Sequence, residues 1–366
     1  MKRYWIGINL VKGIGAVRFR ALLDFFGDAQ SAWQASADDL RVAGLSKRIV
    51  ERFIAAREQV DLDALWEKTV AKQIRVMTWD DADYPARLRE ISQPPPVLYL
   101  HGDFVEEDAW AVAIVGTRRV TSYGRQVTEE IASFLAQNGV TVVSGLARGV
   151  DGIAHQAAIN AGGRTFAVLG SGVDRIYPPE HRNLAEAISG SGAVLSDYPP
   201  DTPPEASNFP PRNRIISGLS MATIVIEAGA TSGALITANF AVDQGREVFA
   251  VPGNIFAPQS KGPNKLIQNG AHPLLNPRDI LEVLDLTRVT EQRSARQLLP
   301  TDETEVQLLN ALNYEPMHVD EIRAKTGLEV AKVSSTLVMM ELKGMVRHVG
   351  GMNYVVAREM QAGYDA

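Results

Sequence analysis

Residues 111–152 carry the pattern that most restricts the fold of this chain. They contain two apolar strand-like runs, each followed by a glycine turn, with an amphipathic helix between them. The run 112–115 is apolar and mostly β-branched, and residues 123–137 place apolar side chains three and four positions apart. A buried strand that leads through such a helix into a second strand predicts a βαβ unit.

The turns that follow the two strands have similar chemistry. Residues 116–119 read GTRR and residues 144–152 read SGLARGVDG. Glycine lets backbone N–H groups approach an anion, and arginine places a guanidinium beside them. One such turn is explained by tight packing alone, whereas two in succession indicate an anion site. Neither has the GxGxxG or GxxxxGKS/T spacing, so a dinucleotide or Walker-type triphosphate site has no direct support.

The alternation of strands and helices continues to about residue 275, which sets the fold class. Further strands are predicted at residues 140–144, 165–169, 194–196, 223–227 and 247–251. Most are continuous apolar runs, typical of a parallel sheet covered by helices on both faces. The central part of the chain is therefore predicted to be α/β, with its ligand site at the carboxyl edge of the sheet.

Domain boundaries follow from changes in this pattern. We expect an N-terminal helical domain at 1–74, a central domain at 75–284 with an extended proline-rich lead-in at 75–110, a polar linker at 285–300 and a C-terminal module at 301–366.

The N-terminal region has helical periodicity interrupted by glycine turns at 11–15 and 42–46. The first turn resembles a helix-hairpin-helix turn, whose glycines expose N–H groups to a nucleic-acid phosphate. Residues 1–60 hold ten Lys and Arg against six Asp and Glu, a balance of +4. A G-x-G turn is equally often only a joint between helices, so both interpretations stay open.

The C-terminal module reads as three helices followed by a glycine hairpin, a winged-helix pattern. Residues 301–366 hold six Lys and Arg against ten Asp and Glu, a balance of −4. A net acidic module is poorly suited to clamp a duplex, so a role in contacting protein or in linking is preferred.

Composition limits the function further. The net charge of −6 argues against a protein that coats duplex DNA through its overall charge. The absence of cysteine excludes disulfides and thiolate chemistry. No long apolar run and no leader pattern is present, so we expect a cytoplasmic protein without a membrane contact. No catalytic residue, metal site or cofactor is expected, because no triad, carboxylate pair or ligand cluster stands out.

The carboxyl-edge loops of the predicted sheet collect further candidates. In residues 208–216, NFPPRNRII, Arg212 and Arg214 flank Asn213, which we expect to cap a helix that begins with the following isoleucines. Tyr177 and Phe209 offer rings on which an unpaired base could stack, or they pack against the sheet.

Together these motifs resemble the DNA-processing protein A family, DprA (also called Smf). The motifs are IVGTRR, VVSGLARGVDGIAH, VLGSGVDRIYP, NFPPRNRIISGLS, EAGATSGALITA, REVFAVPG and GPNKLIQNGA, within about residues 80–280. The resemblance implies an extended Rossmann-like central domain with a parallel sheet, between a small N-terminal helical (helix-hairpin-helix/SAM-like) domain and a C-terminal winged-helix-like domain. Pro179 departs from the family, in which many members carry a basic residue at this position.

The family resemblance also implies a function and a set of site residues. It implies a recombination mediator that binds single-stranded DNA, forms a homodimer through the Rossmann-like domain and loads the RecA recombinase onto DNA taken up in natural transformation, with single-strand binding protein as a further partner. The DNA-binding residues would be Gly116, Thr117, Arg118, Gly145, Ala147, Arg148, Gly149, Asn208, Arg212, Asn213, Arg214 and Lys265, with Tyr177 and Phe209 for base stacking.

The main alternative is an enzyme. Related Rossmann-like folds cleave nucleotide N-glycosidic bonds, and Glu227 would be the candidate base. Those relatives usually carry a PGGxGT turn, whereas residues 227–233 read EAGATSG here, which weakens the enzyme interpretation. A regulator that binds duplex DNA through the C-terminal module is a third possibility.

Overall fold

The computed structural model describes residues 1–286, 303–313, 315–343 and 345–356. The chain divides into two compact units, Met1–Ile280 and Leu281–Ala366. Apart from its first two residues, the predicted linker at 285–300 lies outside the described residues. None of the described helices is long and apolar enough to cross a membrane.

Helices and one large sheet make up the chain as far as residue 286. The helices are α1 Lys2–Leu10, α2 Ala16–Phe26, α3 Ala29–Gln34, α4 Ala37–Val42, α5 Lys47–Gln59, α6 Leu62–Ala71, α7 Ala86–Arg89, α8 Ser122–Gln137, α9 Val150–Asn160, α10 Arg182–Ser191, α11 Phe209–Leu219, α12 Gly233–Asp243, α13 Lys261–Gln268 and α14 Arg278–Val283. The strands are β1 Arg75–Thr78, β2 Val97–Gly102, β3 Ala111–Val115, β4 Thr141–Ser144, β5 Thr165–Val168, β6 Ala193–Ser196, β7 Ala222–Val225, β8 Glu247–Ala250 and β9 His272–Pro273.

The sheet has the order β1-β2-β6-β5-β4-β3-β7-β8-β9. In the part of the sheet that runs β6-β5-β4-β3-β7-β8-β9, all neighbouring strands are parallel. All residues of β3 to β7 are buried, which explains their continuous apolar sequences. The predicted α/β fold with its parallel sheet is confirmed. The chain winds outward from β3 to β6 and then returns to place β7 beside β3, which creates a crevice at the carboxyl ends of these strands.

The extended lead-in at 75–110 is part of the main sheet, to which it contributes two strands that were not predicted. Strands β1 and β2 lie within it, and β2 pairs antiparallel with both β1 and β6. The apolar run 97–100 is fully buried and supplies the sheet with an additional strand. One hydrophobic core extends from the N-terminal helices, with Trp5 and Phe53, to sheet residues such as Tyr99 and Phe166.

The C-terminal unit is a winged helix, as predicted. It contains α15 Glu303–Ala311, β10 Met317–His318, α16 Val319–Thr326, α17 Val330–Leu342, β11 Val346–His348 and β12 Asn353–Val356. The three strands form a sheet of order β10-β12-β11, in which β10 was not predicted. Its own core includes Leu308, Ile322, Val333, Leu337 and Met340.

A buried ion pair joins three segments at the amino edge of the main sheet. Asp108, before β3, accepts hydrogen bonds from Arg164 Nε (2.8 Å) and Nη2 (2.9 Å), and its side chain is only 4% exposed. The hydroxyl of Thr141, at the start of β4, also donates to Asp108 (2.7 Å). This carboxylate therefore fixes the entry points of β3, β4 and β5 relative to one another.

We predict that Asp108→Ala lowers the free energy of unfolding by about 3 kcal/mol, because it leaves the guanidinium of Arg164 without its partner. Glu107→Ala is the matched control, since Glu107 is exposed and has no ion pair among the described residues. Denaturant unfolding of both variants is the measurement. Equal stability of the two variants would show that the pair does not secure the sheet.

Candidate nucleic-acid interface

A cavity of about 750 Å³ opens at the carboxyl edge of the sheet, beside the crevice between β3 and β7. Its walls come from the loop after β3, the loop after β4, the first turns of α11 and the segment 229–237 that begins α12. The amino ends of α9, α11 and α12 all contribute lining residues. The amino end of a helix carries partial positive charge and attracts anions. At α11, Pro210 and Pro211 have no N–H group to donate, and at α9 the N–H groups of Val150 and Gly152 already donate to backbone carbonyls.

Glu227 anchors the loop that carries the first arginines. Its carbonyl accepts from the N–H of Thr117 (2.7 Å), and its carboxylate accepts from the N–H (2.9 Å) and the hydroxyl of Thr121. A Cβ on Gly124 would lie 2.5 Å from a Glu227 carboxylate oxygen, so the first turn of α8 requires glycine there. Glu227 is buried and is not among the residues that line the cavity. It positions a loop and does not contact the arginine side chains.

Arg212 and Asp151 are both buried at the base of the cavity, where their charges influence each other although no ion pair within 4 Å joins them. Arg212 is 4% exposed and donates to the carbonyl of Val168 (2.8 Å). Asp151 accepts from the N–H groups of Gly145 (3.2 Å) and Ala147 (3.3 Å). Burial lowers the pKa of Arg212 to about 10, and the charge of Asp151 opposes this shift, so Arg212 is charged at neutral pH. Burial likewise raises the pKa of Asp151, against the effect of Arg212.

Arg118 is an exposed cation without an ion-pair partner among the residues described. It lines the cavity, and its guanidinium carbon lies 5.7 Å from the centre of the Phe209 ring. Arg119 is also exposed at the cavity, and its backbone N–H donates to the Thr117 hydroxyl (3.1 Å). Two guanidiniums therefore face solvent beside three helix amino ends, an arrangement suited to phosphate groups.

The two candidate stacking residues lie together in the cavity wall. The rings of Tyr177 and Phe209 are 5.9 Å apart at 49°, and both side chains are half-buried. Gly170 leaves room for Phe209, because a Cβ there would lie 2.9 Å from the ring. Phe209 thus packs on one side and faces the cavity on the other.

Arg148 stands at the rim of the cavity and pairs with Glu180. The pairing raises the pKa of Arg148 and lowers that of Glu180. Gly149 caps α9 with φ at 75°, and a Cβ there would lie 2.3 Å from the Thr117 carbonyl. The two arginine turns therefore pack against each other at this glycine.

Several predicted residues lie elsewhere or play a different local role. Asn213 lies inside α11, which begins at Phe209 because prolines are tolerated in a first helical turn; the expectation that Asn213 caps the helix was wrong. Asn213 lines the cavity and donates to the carbonyl of Gly233 (3.3 Å). Arg214, Asn208 and Lys265 are not among the residues that line the cavity.

The contacts of these last three residues are internal to the protein. Arg214 pairs with Asp197 (2.7 Å), with both side chains largely buried. The Asn208 amide reaches the Pro203 carbonyl (3.5 Å), and the Lys265 amine donates to Gln268 (2.9 Å). Whether any of them contacts DNA stays a prediction.

Some lining residues were not selected from the sequence. They include Arg119, Thr231, Ser232 and Thr237. The glycine-rich segment at 227–233, which follows β7 at the same edge, contains Thr231 and Ser232, and Thr237 lies one helical turn beyond it; this segment was the signal that could have identified them. Within the described part of the chain, no group of three His, Asp or Glu side chains is placed to hold a metal ion.

An open parallel sheet with an arginine- and glycine-lined cavity at its carboxyl edge, on a chain that also carries a winged helix, is an arrangement expected of an α/β protein that binds anions. Residues 75–285 match the family model of DNA recombination-mediator protein A, and residues 292–352 match that of the DprA winged helix domain. The chain belongs to the DNA-processing protein A (DprA/Smf) family, which confirms the resemblance in its motifs.

Curated relatives match between two thirds and nearly the whole of this chain. Protein Smf of Synechocystis is 37% identical, covering 96% of this chain and 98% of its own length. The DNA processing protein DprA of Bacillus subtilis is 42% identical, covering 68% of this chain and 82% of its own.

Two solved structures of the family align with this fold. DNA processing protein A of Streptococcus pneumoniae has a TM-score of 0.69 at 33% identity, covering 77% of this chain and 98% of its own. The protein from Helicobacter pylori, described for its single-stranded DNA binding mode, has a TM-score of 0.53 at 32% identity, covering 58% of this chain and 95% of its own.

The two buried charges lead to a prediction about Gly145. A Cβ at this position would lie 2.0 Å from Arg212 Nη1 and 2.8 Å from Asp151 Oδ2. Gly145→Ala should therefore lower the free energy of unfolding by about 1 to 3 kcal/mol, the range for overpacking. Gly229→Ala in the cavity wall is the control, because nothing lies within 4 Å of its added Cβ. Thermal unfolding of both variants decides, and an unchanged Gly145→Ala protein would contradict the prediction.

Proposed function

We propose that the protein binds single-stranded DNA in the carboxyl-edge cavity. Backbone phosphates contact Arg118, Arg119 and the helix amino ends, while an unpaired base stacks on Phe209 or Tyr177. The observation that carries the proposal is the position of Arg118, exposed and without an ion pair among the described residues, next to the Phe209 ring. A cation and an aromatic face in one site fit a nucleotide with an accessible base.

The proposal extends to the role expected from the family. The protein would act as a recombination mediator that loads RecA onto incoming single strands during natural transformation, in the cytoplasm and as a homodimer through its central domain. Single-strand binding protein is a further candidate partner. Membership of a family whose model is named for recombination mediation supports this role.

A binding role is favoured over an enzymatic one. Both carboxylate oxygens of Glu227, the candidate base for N-glycosidic cleavage, already accept hydrogen bonds from Thr121, and the side chain lies outside the cavity lining. Glu227 is therefore not placed to act as a general base in the cavity, and Asp151, which does line the cavity, accepts from the N–H groups of Gly145 and Ala147.

Replacement of Arg118 tests the proposed site. Arg118→Ala should weaken binding of a single-stranded oligonucleotide by about 1 to 3 kcal/mol, the range for hydrogen bonds to charged groups. Arg118→Lys should recover only part of this, because lysine lacks the planar fork. Arg125→Ala is the control, since Arg125 is an exposed arginine nearby on α8 that pairs with Glu129. Affinity and melting temperature are measured on the same preparations, and normal binding by folded Arg118→Ala would refute the site.

The pairing of Arg148 makes a second prediction about affinity. Glu180 forms an ion pair with the guanidinium of Arg148, which a phosphate would otherwise contact. Glu180→Gln should therefore raise single-strand affinity a few-fold, because it removes this competing carboxylate. The same change in an Arg148→Ala background should have no effect. Titration of the four proteins with one oligonucleotide gives the coupling between the two residues, and an equal gain in both backgrounds would mean that Glu180 acts only through general charge.

A further inference from the structure

The N-terminal helices carry a second group of free cations. The turn between α1 and α2 carries Lys12, and the first turn of α2 carries Arg18. Helix α5 carries Lys47, Arg48 and Arg52. Among the described residues, none of the five pairs with a carboxylate, although several other cations of this region do. We call these five residues the hairpin surface. It shares no residue with the carboxyl-edge cavity.

The two turns that form this surface are built alike. Gly13 and Gly44 have φ angles of 106° and 91°, in the left-handed region that favours glycine. In each turn the glycine is followed by a buried aliphatic residue and then by the small residue that caps the next helix. These residues are Ile14 and Leu45, then Gly15 and Ser46.

The first turn also lies against helix α5, which follows the second turn. Arg52 Nη1 donates to the Lys12 carbonyl (3.2 Å), and Ile49 lies 3.7 Å from where a Cβ of Gly13 would be. Arg18 donates to the Gly13 carbonyl (2.8 Å). Arg48 lies one helical turn before Arg52, so the two share a face of α5. The hairpin surface is therefore continuous, from the start of α5 to the start of α2.

Some helices of this region have a side-chain cap at their amino end and others have none. Asp28, Ser36 and Asp61 each accept an N–H bond at the amino end of α3, α4 or α6. Helices α2 and α5 have no side-chain cap and no acidic residue in the first turn, and α5 begins with Lys47 and Arg48. A cation at a helix amino end is repelled by the positive end of the helix dipole. A bound anion would offset this repulsion at α5.

We propose that the hairpin surface binds the phosphate backbone of duplex DNA. Two adjacent helix amino ends with flanking cations match successive phosphates along a nucleic-acid backbone. The surface has no exposed aromatic ring on which an unpaired base could stack, since Trp5, Phe19, Trp33 and Phe53 are buried. Exposed Phe25 is near the opposite end of α2, about 14 Å along the helix axis at 1.5 Å per residue. Backbone contact without stacking suits a duplex, whose bases are inside.

The inference goes beyond the proposed single-strand site, and the two can fail separately. A protein with both sites would hold a duplex segment and a single strand at the same time. It would therefore bind a junction between the two forms more tightly than either form alone.

The test uses the full chain with Lys47→Gln/Arg48→Gln. Its control is Arg41→Gln/Lys68→Gln, which removes the same charge from exposed cations that pair with Asp38 and Asp201. Probes are a short blunt-ended duplex and a single strand of equal length. We expect Lys47→Gln/Arg48→Gln to bind the duplex about tenfold more weakly than the control does. The slope of log affinity against log salt should fall by about 2, at roughly 0.9 per phosphate contact.

Two further readouts fix the interpretation. The melting temperature of Lys47→Gln/Arg48→Gln should stay level or rise, because cations leave a helix amino end. Its single-strand affinity should stay near that of the control, whereas Arg118→Ala should show the reverse pattern. Duplex affinity equal to that of the control, or equal losses for duplex and single strand, would overturn the proposal.

Discussion

The burial of two charges, Arg212 and Asp151, is the constraint on which the cavity depends. Burial of a charge is costly unless hydrogen bonds and opposite charge compensate it. Here Arg212 donates to the Val168 carbonyl and Asp151 accepts from N–H groups of the loop after β4, while Arg212 Nε has no hydrogen-bond partner. The Phe209 ring lies 5.8 Å from the guanidinium of Arg212 and 5.7 Å from that of Arg118. Buried Arg212 thus helps to fix the Phe209 ring, and exposed Arg118 lies beside the same ring.

The sequence was most informative where one local pattern determines the structure. Buried parallel strands must be apolar throughout, so β3 to β8 could be placed within about two residues, and the glycine turns then located the candidate site. Contacts between distant residues could not be read in this way. Arg148 meets Glu180 and Arg214 meets Asp197 only because separate loops converge, and no periodicity encodes that. The role expected for Asn213 failed for a local reason, since prolines allowed α11 to begin earlier.

Charge is distributed in a way that the total conceals. The chain carries a net charge of −6, yet the cavity and the hairpin surface each hold cations that form no ion pair among the described residues. Many other basic residues, such as Arg164 and Lys72, neutralise carboxylates within the fold. An acidic protein can in this way bind a polyanion at selected places while its remaining surface repels the same polymer.

The antiparallel strand β2 has a consequence for how the molecule unfolds. It pairs with β6, which without it would present a free edge of backbone N–H and C=O groups. The N-terminal helices share a core with the sheet and lie on the same chain segment as β1 and β2, so they cannot detach without uncovering that edge. We infer that the first 280 residues unfold as one cooperative unit. A fragment that begins at β3 would expose the edge of β6 and aggregate, so it would not serve as a minimal DNA-binding domain.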